Sequence, residues 1–425
     1  VHSSSGAAPL LLRAAVLGPV AALCVAGFIV VEHSVQRALW QQLPTRLGMA
    51  EPAWWWVLLV LVAGGVLTAL ALRLPGGGGH SPLDGISFDI GPRQIASVVA
   101  AAIASLSFGA VLGPEAPALA IGTAVGAVAA DLGRADVDPA HRRVLMLAGG
   151  AAAFGLVLGN PLAVALFAVE AALLGRRAST AFALLPVAVA LAIGYLVQVG
   201  VAEWPGIGES VLAVPGLGPY PEVKVVDLLL GVPLAAAVAG LAAVSLALAR
   251  RLRDTASQRR PMLVLVGAGS AIAATAVLAR TLTGEPVEAV LFSGQTALAG
   301  TLTATSVVSL LVIAVAKAVA YALSLGSGFR GGQIFPAVYL GALLASALAL
   351  LVPAADVQGL MPAALAAAAA ATLRLPFSAA LLAVLLTSAS GSAVTAPALL
   401  GAVVGLLIAS ALDRRPAATP RGSAA

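Results

Sequence analysis

The sequence predicts an all-α, polytopic membrane protein, and three observations predict it. The chain is 60% hydrophobic and only 10% charged, with a mean hydropathy of +1.04. A soluble domain carries about 25% charged residues, so no water-exposed surface of ordinary polarity can be built from this chain. Apolar stretches near the roughly 20 residues that a spanning helix needs recur from end to end, about a dozen in all, several shortened or broken by Gly and Pro. Arginines gather in short loops between them, which is the pattern of cytoplasmic positive charge. That pattern, rather than a nucleic-acid partner, accounts for the net charge of +5. The single cysteine, Cys24, excludes a disulfide framework and a cysteine-ligated metal, and reads as a small core residue; the four histidines (His2, His33, His80, His141) show no metal-ligand spacing.

Along the chain, the first apolar stretch runs from about Leu10 to Val31. It is too long for a signal-peptide core and reads as a span with no cleavable leader. Trp54-Trp55-Trp56 reads as an aromatic anchor at one membrane interface. Residues 199–223 are acidic (Glu203, Glu209, Glu222) and are expected outside as a linker. The Arg250–Pro261 stretch holds five arginines in its first eleven residues and is expected in the cytoplasm, as are Arg13 near the start and Arg414-Arg415 near the end. The expected organisation is a first membrane half over 9–198, the linker 199–223, a second half over 224–412 and a short cytoplasmic tail over 413–425. Both termini are then cytoplasmic, and the expected location is the inner (plasma) membrane.

The chain also repeats itself. Gly113-Pro-Glu-Ala-Pro117…Gly122 has a counterpart in Gly331-Gly-Gln-Ile-Phe-Pro336…Gly341, with Pro and Gly five apart in both. Pro161-Leu-Ala-Val-Ala-Leu-Phe-Ala-Val169 resembles Pro376-Phe-Ser-Ala-Ala-Leu-Leu-Ala-Val384 at nearly the same offset. Two related bundles in one membrane chain suggest a functional site between them at mid-membrane.

Three segments break the apolar pattern with glycine, proline and charge: Gly76–Gly85, Gly113–Pro117 and Gly326–Pro336. Each precedes an apolar helical run, so each feeds a helix N-terminus, where backbone N–H groups lack intrahelical partners and the dipole is positive. Glycine lets an anion approach such amides closely. Non-helical backbone at membrane depth is tolerated only in protein or along a wet cavity, so three openings argue for an ion path. Glu115 stands in the second break. A carboxylate at a positive helix end mimics an anion, and protonation or a permeant anion would release it: a gate. The bland alternative is a first-turn carboxylate on an exposed loop.

Here the residues resemble the CLC family of chloride channels and proton-coupled chloride transporters. Gly113-Pro-Glu115-Ala116-Pro117 resembles the family's Gly-(Arg/Lys)-Glu-Gly-Pro element, with Glu115 on the gating position. Gly331-Gly-Gln333-Ile334-Phe335-Pro336 resembles its Gly-x-Phe-x-Pro element, which offers backbone amides to the anion. Asn160-Pro161-Leu and Arg374-Leu-Pro376 resemble the Asn/Arg-Ala-Pro-Leu elements of the two halves. The likeness runs in order from about residue 9 to residue 412. It implies two inverted-repeat halves with reentrant half-helices, a pore in each subunit, and a homodimer. The implied anion site comprises Gly113, Glu115, Ala116, Gly78, Gly79, Ser81, Gln333, Ile334 and Phe335. The implied partners are a small inorganic anion, protons and the bilayer; no metal and no cofactor beyond the permeant anion is expected, and no enzyme activity.

The sequence also departs from the family. Where the family has Gly-Ser-Gly-Ile-Pro, this chain reads Gly78-Gly79-His80-Ser81-Pro82; strict register sets Gly78 against the serine, leaving Ser81 or the backbone amides to serve. The family's C-terminal tyrosine has no counterpart beyond Tyr339, so that end of the site is expected to be open or closed by apolar groups. The internal proton-transfer glutamate of family antiporters falls at Ala171. Its neighbour Glu170 points about 100° away on a helix and reads as a structural carboxylate paired with Arg176 or Arg177. Pro114 replaces a basic residue. Lys317 and Arg330 could raise the local potential for anions or be structural. The expected function is therefore chloride permeation gated by Glu115, channel-like or weakly proton-coupled. Antiport by another proton route, and fluoride or nitrate as the anion, remain alternatives. A membrane enzyme is the distant one, for want of a nucleophile–base pair.

Overall fold

The computed structural model describes residues 7–84, 90–132, 138–174, 180–204, 213–256 and 260–413. Gly85, Arg176, Arg177, Glu209, Arg259 and the tail with Arg414 and Arg415 lie outside them. The first half contains α1 (Ala7–Arg37), α2 (Leu43–Arg46), α3 (Trp54–Ala71), α4 (Ile95–Leu106), α5 (Glu115–Asp131), α6 (Pro139–Leu158), α7 (Pro161–Leu174) and α8 (Thr180–Gly200). The second contains α9 (Val225–Ala256), α10 (Pro261–Thr283), α11 (Leu298–Thr303), α12 (Val307–Ser327), α13 (Ile334–Leu351), α14 (Val357–Leu373), α15 (Pro376–Leu386) and α16 (Thr395–Asp413). Among the described residues the only β pairing is an isolated antiparallel bridge between Gly113 and Gly332. Eight helical stretches are long and apolar enough to cross a bilayer, and five shorter apolar helices accompany them. The protein is a multi-pass helical membrane protein.

Local sequence sets these limits. The side chain of Asp138 caps α6 by accepting the Ala140 N–H (2.9 Å), with Pro139 at the first helical position. Gly159, at φ 64°, ends α6 in the left-handed conformation that glycine tolerates. Asn160 then caps α7, its Oδ1 accepting the Leu162 and Ala163 amides. The Asn-Pro pair is thus a helix start. α1 is longer than the predicted first span, continuing through a π-helical turn at Ala38–Gln42 into α2. Cys24 is exposed on α1 rather than in the core, because the buried face of that helix runs through Ala21, Ala22, Val25 and Ala26. Trp54 and Trp55 are exposed, as an interfacial anchor requires, whereas Trp56 is buried and donates its indole N–H to Leu39 O.

Small residues let the helices approach. At Gly122 and Gly149 an added Cβ would run into the backbone carbonyl of the other glycine, so α5 and α6 pack backbone to backbone. α14 is buried on every side, from Gly359 to Ala371, and this alanine-rich rod forms the axis of the second half. A helix apolar all round belongs in the centre of a bundle.

The repeat appears as an approximate two-fold symmetry. A shift of 219 positions (334 − 115) carries the start of α5 to the start of α13. The same shift carries Ser105 to Ser324, Val111 to Arg330 and Gly113 to Gly332. These residues bond reciprocally across the halves. Ser324 Oγ accepts the Val111 amide (2.9 Å) and Ser105 Oγ accepts the Arg330 amide (2.9 Å). Gly113 N–H donates to Gly332 O (2.9 Å) and Gly332 N–H donates to Gly113 O (2.5 Å). Reciprocal pairing of this kind is what a two-fold relation produces.

Candidate functional site

The Gly113–Gly332 seam brings the N-termini of α5 and α13 together. Pro114 and Gln333 are the residues preceding the first helical positions, so the leading amides of both helices have no partner within their own helix. Glu115 is the first residue of α5 and is 3% exposed. Its Oε1 accepts the Phe335 N–H at 2.9 Å, and the Ile334 amide also faces the carboxylate. Its Oε2 is buried with no hydrogen-bond partner. A carboxylate thus stands where the N-terminus of α13 would hold an anion. A Cβ at Gly113 or Gly332 would collide with that carboxylate, so both positions need glycine for steric reasons.

A cavity of about 70 Å³ opens beside Glu115. On that measure a water needs about 10–15 Å³, so the space is large enough for a small ion together with water. Among its lining residues are Gly78, Gly79 and Ser81 from the first break, Glu115 and Ala116 from the second, and Gln333 and Ile334 from the third. All three breaks therefore meet at one place. Gly113 and Phe335 stand behind the carboxylate, as the seam and as the amide donor.

The amides of Gly78 and Gly79 are occupied: Gly78 N–H donates to Ser97 Oγ (3.2 Å) and Gly79 N–H to Gly76 O (3.1 Å). Both glycines have φ near +74°, a loop conformation costly for other residues. Ser81 Oγ accepts the Leu83 amide at 3.4 Å. Phe154 and Leu373 supply apolar wall to the cavity. Tyr321, fully buried on α12, donates its hydroxyl to Gln333 O (2.8 Å) and fixes the turn into α13. No sequence signal singled it out, because its partner belongs to an irregular turn.

The other candidate charges have separate work. Glu170 accepts the Phe377 amide (3.0 Å), the Ser378 amide (2.8 Å) and the Ser378 hydroxyl (2.6 Å), and so caps the N-terminus of α15 from the other half. The expected pairing with Arg176 or Arg177 lies outside the described residues. Lys317 is buried and donates to Leu291 O and Phe292 O, with its ammonium 5.0 Å from the Tyr339 ring. It pins a loop whose Phe292 has a positive φ of 59°, and it does not snorkel. Arg330 lines the cavity.

Broken helices from two symmetry-related halves, meeting around a cavity, define an integral membrane transport protein. The chain belongs to the family described as Voltage gated chloride channel, which it matches over residues 81–410; this is CLC-family anion transport. It is similar to YfeO of Salmonella choleraesuis strain SC-B67, provisionally named an ion-transport protein, at 29% identity over 344 residues, 79% of each chain. YfeO of Escherichia coli strain SE11 is 29% identical over 355 residues, 81% of this chain and 80% of the relative. Among solved structures, the fold is similar to a slow cyanobacterial Cl⁻/H⁺ antiporter (TM-score 0.76, 19% identity, 96% of this chain and 95% of the other). It is also similar to a CLC-type fluoride/proton antiporter (TM-score 0.68, 17% identity, 97% and 98%).

Proposed function

We propose that this protein conducts chloride, or a small anion of similar chemistry, through a pore in which Glu115 is the gate. The observation that carries the reading is the buried carboxylate lodged on the α13 amides. With Glu115 ionised, its carboxylate holds the Phe335 and Ile334 amides and the path is closed. Protonation removes the charge that binds it there, the side chain leaves, and an anion takes the amides in its place. Gly113 and Gly332 leave room for the carboxylate. Ala116, Gln333 and Ile334 line the anion's route, and Ser81 offers its hydroxyl. Gly78 and Gly79 contribute close approach rather than donors, since their amides are engaged.

Transport is channel-like or weakly proton-coupled. Position 171 is alanine, and the neighbouring Glu170 is committed to α15, so neither continues a proton route from Glu115. The working unit is a homodimer in the plasma membrane with both termini in the cytoplasm. The test is Glu115→Gln in liposomes. Chloride flux should persist and become insensitive to pH between about 4 and 8. Unchanged pH dependence would remove Glu115 from the gate. Uphill proton movement driven by a chloride gradient in the wild type would establish antiport instead. The same assay with fluoride or nitrate ranks the anions.

A further inference from the structure

The pseudo-two-fold places Arg330 opposite Val111, and Glu115 opposite Ile334. Around the seam the repeat is otherwise kept in serine, glycine and backbone bonds. An ionisable side chain has thus been set at one of a pair of equivalent positions twice, with an apolar residue at the other. One of these charges is the proposed gate; the second is Arg330.

The backbone of Arg330 is fixed by its amide bond to Ser105, and its Nη2 donates to Gly77 O at 3.2 Å. Its Nε and Nη1 are buried, carry N–H donors, and have no hydrogen-bond partner. Gly78 lets the guanidinium lie flat against the first break, since a Cβ there would come 3.2 Å from Nε. The nearest acid on that side, Asp84, gives its Oδ1 to Arg253 at 2.6 Å. Glu115 is bonded to Phe335 rather than to Arg330. Glu115 and Arg330 thus both line the cavity, and two of the three guanidinium nitrogens lack a partner. Leaving buried charged donors unsatisfied is costly, and a monovalent anion in the cavity removes the cost.

We propose that Arg330 is a direct anion ligand, forming a second anion position in the cavity, distinct from the one the Glu115 carboxylate occupies. This rests on the reading of the cavity as an anion path. The anion enters from the face bearing Arg253 and Asp84, exchanges water for Nε–H and Nη1–H, and waits there until Glu115 vacates the α13 amides. Arg330 replaces the donors that the engaged Gly78 and Gly79 amides do not supply.

The experiment is chloride flux into liposomes as a function of chloride concentration, for wild type, Arg330→Gln and Arg330→Lys. The concentration for half-maximal flux should rise about tenfold in Arg330→Gln, roughly the effect of losing one charge-assisted contact, with flux at saturating chloride nearly kept. Arg330→Lys keeps the charge on a compact ammonium and should fall between the two. An unchanged half-saturation concentration, with only a lowered thermal midpoint, would mean that Arg330 merely closes the Gly77 carbonyl and would overturn the proposal while leaving the anion path intact. If Arg330→Gln does not fold, Arg330→Lys decides alone: a wild-type half-saturation concentration overturns the proposal. Wild-type protein that dissipates no chloride gradient would overturn both readings together.

Discussion

At Glu115 the two carboxylate oxygens have unequal surroundings: Oε1 is held by Phe335, and Oε2 faces no partner. The side chain is kept in place by amides on one side and by the space that two glycines leave on the other. Gly332→Ala puts a methyl group where the carboxylate sits. That variant should show high chloride flux at neutral pH with weak pH dependence, like Glu115→Gln. In a Glu115→Ala background the same substitution should change pH dependence no further, and proton-dependent flux assays on both backgrounds check this. The importance of Glu115 was legible in the sequence, since an ionisable residue in apolar, Gly/Pro-broken sequence is conspicuous. Its amide donor was legible only by resemblance, because Phe335 lies 220 positions away. Arg330 and Tyr321 were not legible in their roles. Which of a guanidinium's nitrogens find partners depends on where a distant loop closes, and periodicity does not record that.

Between elements, buried carboxylates act as caps. Glu170 closes the open amides of α15, a task local sequence could not reveal because cap and helix belong to different halves. Glu170→Gln keeps the shape but loses charge-assisted bonds worth about 1.5–3 kcal/mol each, so the thermal midpoint in detergent should fall. Chloride flux and its pH profile should stay as in the wild type; a lost pH response would mark Glu170 as a proton carrier. At the start of α9, Asp227 accepts the Tyr220 hydroxyl (2.8 Å) and the Asp356 amide (2.9 Å), while Lys224 pairs with Asp356 (2.6 Å). Burial first, and the Asp227 charge with it, pushes the Tyr220 phenol up to about 12. A folded-state value above the ordinary one of about 10 means that its stabilisation is whole below that pH and lost as pH rises toward 12. Tyr220→Phe should lower stability by about 2 kcal/mol near neutral pH and flatten the loss of midpoint above pH ~10. By contrast, the Asn160 cap is local, two and three residues from the amides it accepts.

For the whole molecule, composition alone specified a membrane bundle, because no other medium accepts this much apolar surface. The repeat was legible as two short matches, and its physical meaning emerges only when Ser105, Val111 and Gly113 meet Arg330, Ser324 and Gly332. Topology follows from the arginine-rich end of α9, whose Arg253 pairs with Asp84 beside the first break. On the positive-inside pattern the Gly76–Asp84 opening is expected on the cytoplasmic side. In a Cys24→Ser background, cysteine at Arg251 should react with an impermeant maleimide only after the membrane is opened, whereas cysteine at Glu222 should react in intact cells. The reverse pattern would invert the orientation.

The reciprocal seam has a kinetic consequence. Many transporters built from inverted repeats expose their site by rocking one bundle against the other. Here the bundles are laced at the seam by two main-chain bonds and two serine–amide bonds, and again by the Glu170 cap on α15. With Glu115 as the proposed gate, motion is left to a single side chain. The barrier to opening is then that of turning one carboxyl group, not of sliding helices, and its activation enthalpy should be correspondingly small. Flux through this protein should climb gently with temperature, by factors closer to those of an ion diffusing in water than to those of a machine that changes shape at every turnover.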